Sequence, residues 1–238
     1  MALVERLASL LGRKPADPMA DPATLAAIGD TVREKLRLNP QAVARGGGKA
    51  DLFLLPSFLT AQQCQRLIRV IESRIQPSKL FSEAKNPTGR TSSTHFFATD
   101  APETVALGRK IDSVLGIERK HAETIQGQRY RIGEEYRHHR DYFRVERPHW
   151  QHERRRGGQR SWTAMVYLNA VESGGETEFP ELDLTVTPEA GLLIAWNNMD
   201  RRGRPNRNTR HAALPVAAGE KYVITQWYRQ DQWSRNYR

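Results

Sequence analysis

The chain has 238 residues, a net charge of +10 and one cysteine, Cys64. This length suffices for one domain with a substantial core, and the single cysteine excludes an intrachain disulfide, as is usual in a reducing cytoplasm. No apolar run reaches about 18 residues, and the N-terminus lacks the pattern of a secretory signal, so we expect no membrane span and a cytoplasmic location. The positive charge favours acidic partners: nucleic acid, acidic protein surfaces or small dianions.

Residues 1–50 have the pattern of a helical appendage with a linker. Apolar residues at helical spacing predict a short helix within residues 1–13 and a second helix over residues 24–38. Prolines between these helices, and a Gly-Gly-Gly run at residues 46–48, interrupt the chain. This part contains no chemical motif. Covering a sheet edge, dimerisation and a mobile arm remain open as its role.

The next part predicts a short strand and two helices. An apolar strand is expected over residues 51–56, and a capping box of Thr60 and Gln63 marks the start of a helix. Residues 102–115 have helical apolar spacing. Cys64 belongs to the apolar face of its helix, which predicts a buried and inert thiol rather than a nucleophile.

The second half of the chain predicts short strands separated by turns. The expected strands cover residues 124–131, 135–143, 161–168, 177–179, 182–186, 191–196, 211–216 and 221–228. Helices followed by such strands predict an α+β catalytic domain over residues 51–238. Its core is expected to be a jelly roll or barrel with supporting helices on one face, rather than a parallel α/β sheet.

A His-x-Asp pair, His139 and Asp141, lies in the strand predicted over residues 135–143. Residues two apart in a strand point to the same face, so these side chains are expected to converge. Two histidines and one carboxylate form the Fe(II) arrangement that leaves positions open for substrates. His211 is the best third ligand, and Lys221 follows it. Alone, the His-x-Asp pair would more often be surface chemistry.

Two arginine-rich stretches, residues 144–160 and 201–210, flank the proposed ligands in sequence. Such runs are usually solvated loops. Their position here predicts that they line the mouth of the site, and residues 145–158 have the composition of a mobile lid.

The ordered motifs of the second half resemble those of one enzyme family. They are Tyr130, Tyr136-x-x-His139-x-Asp141-Tyr142-Phe143, Arg160-x-x-Thr163-x-x-x-Tyr167-Leu168-Asn169, Gly174-Gly175-Glu176-Thr177-Glu178-Phe179-Pro180, His211, Pro215-Val216, Gly219-x-Lys221 and Trp227. This set resembles the prolyl 4-hydroxylase branch of the Fe(II)- and 2-oxoglutarate-dependent dioxygenases over residues 54–229. The resemblance implies a double-stranded β-helix, which agrees with the expected jelly roll.

The resemblance also implies roles for individual residues. The Fe(II) ligands would be His139, Asp141 and His211, and the cosubstrate residues would be Lys221, Tyr130, Thr163, Tyr167 and Trp227. Among these, Lys221 would pair with the distal carboxylate of 2-oxoglutarate. Elementary physics agrees, because Lys221 lies on an apolar strand where an unpaired ammonium is costly.

Substrate residues are implied less directly. Tyr136 and Arg160 match positions near the peptide groove of prolyl hydroxylases. Arg229 stands where collagen-type relatives have histidine, which puts collagen-like proline repeats in doubt. The basic loops favour acidic residues around the target.

The implied reaction is hydroxylation of a C–H bond, with prolyl 4-hydroxylation of a protein or peptide as the leading expectation. Fe(II), 2-oxoglutarate and O2 would take part, succinate and CO2 would be released, and ascorbate would restore Fe(II). Two alternatives remain: oxidative demethylation of alkylated nucleic acid, which the basic charge allows, and a non-catalytic metal-binding β-barrel.

Overall fold

The structure is a computed structural model that describes residues 20–78 and 89–234. The helix predicted within residues 1–13 lies outside these residues. The helices of the described residues are α1 (Pro22–Leu38), α2 (Ala61–Ser73), α3 (Pro102–Leu115) and α4 (Trp150–Glu153). The three longer helices confirm the prediction. None of the helices in these two ranges has the length and apolarity to cross a membrane.

Local sequence signals set the ends of the longer helices. The Asp21 carboxylate caps α1 by accepting a hydrogen bond from the Ala23 backbone N–H. At α2 the predicted capping box forms, because Thr60 and Gln63 each bind the other's backbone N–H. α3 is followed by Gly116 with a φ of 73°, a left-handed conformation that suits glycine.

The second half of the chain supplies most strands. The strands are β1 (Val43–Ala44), β2 (Leu52–Leu55), β3 (Gln76–Pro77), β4 (Ser93–Phe96), β5 (Gln126–Tyr130), β6 (Tyr136–His139), β7 (Arg160–Tyr167), β8 (Ser173–Gly174), β9 (Thr177–Phe179), β10 (Leu184–Val186), β11 (Leu193–Asn197), β12 (His211–Ala213), β13 (Val216–Ala218) and β14 (Lys221–Arg229). In the described ranges they form an eight-stranded sheet, β1-β2-β11-β7-β14-β5-β4-β3, a four-stranded sheet, β10-β9-β12-β6, and the pair β13-β8. The two larger sheets are those of the predicted double-stranded β-helix.

Two hydrophobic clusters flank the eight-stranded sheet. The first joins the sheet to the helices and includes Ile71 of α2 and Ile111 of α3. The second includes Phe179 of β9 and Trp196 of β11, so it joins the two larger sheets. The helices therefore cover one face of the eight-stranded sheet, as predicted, and leave the other face for the site.

Alternation along β14 separates the core from the site. Tyr222, Ile224 and Tyr228 belong to the helix-side cluster, whereas Lys221, Val223, Thr225 and Trp227 line a pocket on the opposite face.

α1 packs on the main body rather than standing apart from it. Val32 and Leu36 belong to the helix-side cluster, and Arg33 forms an ion pair with Asp51 at 2.9 Å. The sequence places a boundary at residue 50, but α1 shares the core of residues 51–238. The described helix α1 is therefore not a mobile arm, whereas covering a sheet edge and dimerisation stay predictions for this region.

The predicted strands form, but three of them differ from their expected bounds. The strand expected over residues 135–143 ends at His139, so Asp141 follows it in a bend. A 3-10 turn, Pro180–Leu182, occupies the start of the strand expected over residues 182–186. The strand expected over residues 211–216 divides into β12 and β13 around Pro215, which has no N–H for a ladder.

The segment predicted as a mobile lid is folded onto the body. It contains α4 and the 3-10 turn Arg154–Arg156. Trp150 is 0% exposed, and the buried Glu153 carboxylate pairs with Arg229. Buried contacts therefore hold the segment in place, which differs from the prediction.

If α1 is part of the domain core, Leu36→Ala should destabilise the whole domain. Leu36 is 0% exposed, and removing a buried leucine side chain costs about 2–5 kcal/mol. Leu38→Ala is the matched control on the same helix, because Leu38 is 78% exposed. Urea unfolding should show one transition, shifted by Leu36→Ala alone. An unshifted main transition for Leu36→Ala would mean that α1 is a separate unit.

Candidate active site

Three predicted ligands converge at one end of the four-stranded sheet. His139, the last residue of β6, lies opposite His211, the first residue of β12, in the antiparallel register. Asp141 Oδ1 lies 3.6 Å from His139 Nε2 and 4.0 Å from His211 Nε2. One ligand atom from each residue lies within 4.8 Å of the others. This spacing suits a single ion between the three groups.

Two backbone carbonyls determine which ring nitrogens face the centre. His139 Nδ1 donates to the Arg137 carbonyl at 2.8 Å, and His211 Nδ1 donates to the Thr209 carbonyl at 3.0 Å. A carbonyl only accepts, so each proton lies on Nδ1. Both Nε2 lone pairs are therefore free to bind a metal.

The protonation states favour metal binding at neutral pH. Burial, with a contribution from His211, lowers the pKa of His139 to about 3. Burial would raise the pKa of Asp141, but His211, His139 and Arg160 together lower it. His139 is therefore neutral and Asp141 ionised near pH 7, the forms in which these side chains bind metals. Two imidazoles and one carboxylate fit Fe(II), as predicted.

The second oxygen of Asp141 is held by a residue predicted for another role. The Thr163 hydroxyl donates to Asp141 Oδ2 at 2.8 Å and accepts from Asn198 Nδ2 at 2.9 Å. The sequence predicts that Thr163 binds 2-oxoglutarate. The structure instead places its hydroxyl on Asp141, on the far side of that carboxylate from the two imidazoles.

A pocket opens beside the three ligands. Its lining residues are Arg90, Gln128, Tyr130, Tyr136, His139, Asp141, Met165, Thr177, Trp196, His211, Ala213, Lys221, Val223, Thr225 and Trp227. The predicted metal ligands, Lys221, Tyr130, Trp227 and Tyr136 therefore share one cavity.

Lys221 is a buried cation that lacks an anionic partner. It is 1% exposed, and its Nζ has no hydrogen-bond partner among the residues that the structure describes. Nζ lies 5.3 Å from the ring centroids of both Tyr130 and Tyr167. Burial lowers the pKa of Lys221 to about 7, although Glu176 opposes this shift. A buried ammonium in such a pocket fits the carboxylate of a small dianion.

The predicted cosubstrate residues differ in how they meet the pocket. Tyr130 and Trp227 line it. The Tyr167 hydroxyl instead bonds within the core: it donates to the Val186 carbonyl and accepts from the Thr177 hydroxyl. Tyr167 therefore contributes its ring face beside Lys221, while its hydroxyl serves packing.

The predicted substrate residues are only partly at the pocket. Tyr136 lines it and stacks on His139, with ring centroids 3.6 Å apart and planes 17° apart. Arg229 is 1% exposed and is committed to Glu123 and Glu153. This burial contradicts direct substrate contact by Arg229.

Arg160 is also tied to Glu123. Its Nε lies 2.6 Å from that carboxylate, and its guanidinium lies 4.1 Å from the Trp227 ring centroid. Burial would raise the pKa of Glu123, but Arg160 and Arg229 lower it to about 2. The structure therefore places Arg160 against the Trp227 ring in a compensated charge network, and Arg160 is not among the residues that line the pocket. A position near the peptide groove stays a prediction.

Three residues around the site escape prediction from sequence. Glu123 accepts a hydrogen bond from the buried Arg229, Asn198 donates one to the Thr163 hydroxyl, and Arg90 lines the pocket. The local sequence around Asn198 indicates no more than a turn after a strand, and nothing in the local pattern distinguishes a buried Glu123 from an exposed one.

Comparisons with known proteins agree with this geometry. Residues 125–229 match the family model "2OG-Fe(II) oxygenase superfamily". The chain is 33% identical over 201 residues to "Probable prolyl 4-hydroxylase 9" of Arabidopsis thaliana, a match that covers 74% of this chain and 68% of the relative. It is 29% identical over 169 residues to human "Prolyl 4-hydroxylase subunit alpha-1", covering 67% of this chain but 32% of that subunit.

A solved structure is similar in sequence and in fold. This is the viral collagen prolyl hydroxylase of Paramecium Bursaria Chlorella virus-1 in its 2OG complex. The TM-score is 0.58 and the identity 29%, and the match covers 75% of this chain and 95% of the viral chain. From the family model, the plant relative and this shared fold, we conclude that the chain belongs to the prolyl 4-hydroxylase branch of the 2OG-Fe(II) oxygenases.

Proposed function

We propose that the chain hydroxylates a prolyl residue of a protein or peptide, using Fe(II), 2-oxoglutarate and O2 and releasing succinate and CO2. One observation supports this most directly. A buried ammonium without an anionic partner in the described ranges, that of Lys221, lines the same pocket as His139, Asp141 and His211. A cosubstrate with a carboxylate at its far end satisfies both groups.

The residues then take distinct roles. His139, Asp141 and His211 would hold Fe(II), which when bound supplies the oxidising chemistry that attacks a C–H bond. Lys221 would bind the distal carboxylate of 2-oxoglutarate. Val223 and Met165 line the pocket between these groups and exclude water. Tyr136, stacked on His139, lines the same pocket and would contact the substrate there.

The rim of the pocket supports a substrate with acidic residues near the target proline. Arg90 lines the pocket, and its guanidinium bonds to the hydroxyls of Ser92 and Thr94. No carboxylate of the described ranges forms an ion pair with it. An arginine held by neutral groups keeps its full charge available to an incoming carboxylate.

The proposal includes a reductant and a cellular setting. Ascorbate is the reductant that we expect to keep the iron ferrous. A reducing, cytoplasmic setting is supported by Cys64, which is 1% exposed and whose pKa is raised by burial, so that it is poorly placed for disulfide chemistry.

Loss of one ligand tests the function. Asp141→Ala should abolish both succinate release and hydroxylation, because it removes the only carboxylate of the metal triad. The measurement is mass spectrometry after incubation with Fe(II), 2-oxoglutarate, ascorbate, proline-containing peptides and methylated oligonucleotides. Asp30→Ala, an exposed carboxylate on α1, is the control. A one-oxygen gain on proline is expected. Demethylated oligonucleotide, or succinate release by Asp141→Ala, would contradict the proposal.

The pKa of Lys221 predicts the pH dependence of cosubstrate binding. Only the charged ammonium binds the carboxylate, and a pKa of about 7 means that charge is lost as the pH rises through 7. The Kd for 2-oxoglutarate should therefore rise about tenfold per pH unit above 7. Calorimetry of the Mn(II)-loaded protein measures this, with proton uptake approaching one at pH 8. Lys221→Arg stays charged and should show a flat profile, and a flat wild-type profile would assign the carboxylate to another cation.

Substrate charge is tested at Arg90. Arg90→Gln should raise the KM for a peptide with Asp or Glu beside proline by about tenfold, as expected for loss of one charge-assisted pair. The KM for the matched Asn or Gln peptide should change little. Arg137→Gln is the control, because Arg137 is exposed and already pairs with Glu135. Equal effects on acidic and neutral peptides would refute acidic recognition.

A further inference from the structure

The outer oxygen of Asp141 is the end of a short buried chain of hydrogen bonds. Asn198 Nδ2 donates to the Thr163 hydroxyl at 2.9 Å, and that hydroxyl donates to Asp141 Oδ2 at 2.8 Å. Thr163 and Asn198 are both 0% exposed. The two residues come from neighbouring strands, since β7 carries Thr163 and Asn198 follows β11.

The direction of these bonds is fixed by the number of protons. A metal-binding carboxylate only accepts, so the single Thr163 proton is used on Asp141. The Thr163 oxygen must then accept, which turns the nitrogen end of the Asn198 amide toward it. Each member of the chain therefore determines the orientation of the next.

The inner oxygen of Asp141 faces the other two ligands. Oδ1 lies 3.6 Å from His139 Nε2 and 4.0 Å from His211 Nε2, whereas Oδ2 is occupied by Thr163. A carboxylate that bound a metal through both oxygens would use an additional coordination position. An octahedral ion with three protein ligands needs its other positions for the cosubstrate and O2.

We propose that Thr163 and Asn198 are positioning residues that make Asp141 a ligand through Oδ1 alone. This inference rests on the metal site of the proposed function and extends it to residues that touch neither metal nor substrate. Thr163 holds Oδ2 away from the centre, and Asn198 fixes the rotamer of the Thr163 hydroxyl.

Asn198 is itself rigidly placed for this task. Its backbone N–H donates to the Ser161 carbonyl at 2.7 Å, and its carbonyl accepts from the Asn206 N–H at 2.9 Å. The side-chain oxygen Oδ1 has no protein partner within the described ranges. A buried amide with one unpaired end is costly. The bond that Asn198 Nδ2 donates to Thr163 is the contact that offsets this cost.

The test measures the affinity of the full chain for Co(II), with the visible absorption of bound Co(II) as the signal. Thermal unfolding confirms that each variant is folded. Thr163→Val removes the donor at almost constant shape and should weaken Co(II) binding about 10- to 100-fold, the usual effect of losing a group that orients a ligand. Thr163→Ser keeps the hydroxyl and should bind Co(II) within about threefold of wild type. Equal affinity of Thr163→Val and wild type would overturn the proposal.

A double-mutant cycle separates positioning from packing. Asn198→Leu should weaken Co(II) binding about 3- to 10-fold in the wild type but have no effect in the Thr163→Val background, because Asn198 acts through Thr163. An equal effect in both backgrounds would show that Asn198 acts by packing and would refute the relay. If Thr163→Val does not fold, unchanged Co(II) affinity in Asn198→Leu refutes it equally.

The same assay distinguishes this proposal from the proposed function. Asp141→Ala should eliminate Co(II) binding at this site. If Asp141→Ala binds Co(II) as tightly as wild type, the metal site itself is wrong. If Asp141→Ala loses Co(II) binding while Thr163→Val and Asn198→Leu bind Co(II) as tightly as wild type, the metal site is confirmed and only the positioning role is refuted.

Discussion

The site depends on one rung of the four-stranded sheet, the pairing of His139 on β6 with His211 on β12. Each imidazole donates from Nδ1 to the backbone carbonyl two residues before it. The strands thus set both the separation of the rings and their tautomers. Because β6 ends and β12 begins at this rung, the centre lies at the open end of the sheet, where a bend brings in Asp141. A slip of one residue in either strand would turn that strand's imidazole to the opposite face and separate the two rings.

Buried charge near the site is of two kinds, and the difference identifies its use. Arg160, Glu123, Arg229 and Glu153 form a chain in which each cation meets a carboxylate. The two positive and two negative charges of this network balance each other. The network therefore supports the structure behind Trp227 and requires no ligand. Lys221 forms no hydrogen bond or ion pair within the described ranges, and Glu176 only partly offsets the burial of its ammonium. Such a buried ammonium beside a metal triad is costly unless a ligand binds it, which makes Lys221 the clearer sign of function.

The sequence was sufficient for the parts of the site that depend on local pattern and order. The His-x-Asp spacing suggests His139 and Asp141, the ordered motifs and the family resemblance they carry assign His211 and Lys221, and the apolar runs place most strands. The sequence was insufficient where the role of a residue depends on a contact with a residue far away in the chain. The burial of Arg229 follows from Glu123, which lies 106 positions away, and the use of Thr163 follows from where β7 passes Asp141. The end of β6 at His139 was missed because residues 140–143 keep a strand-like composition.

The excess of arginine acts differently at the surface and in the pocket. Salt screens the interactions of exposed arginines with charges more than about 8–10 Å away. These arginines can therefore attract acidic partners in general but do not select among them. Arg90 is half-buried, lies 5.2 Å from the Tyr136 ring centroid and is fixed by two hydroxyls. Its position relative to the metal ligands is therefore defined, because Tyr136 stacks on His139. For the acidic substrates proposed above, we therefore propose that discrimination depends on Arg90, whereas the surface arginines influence the rate of association.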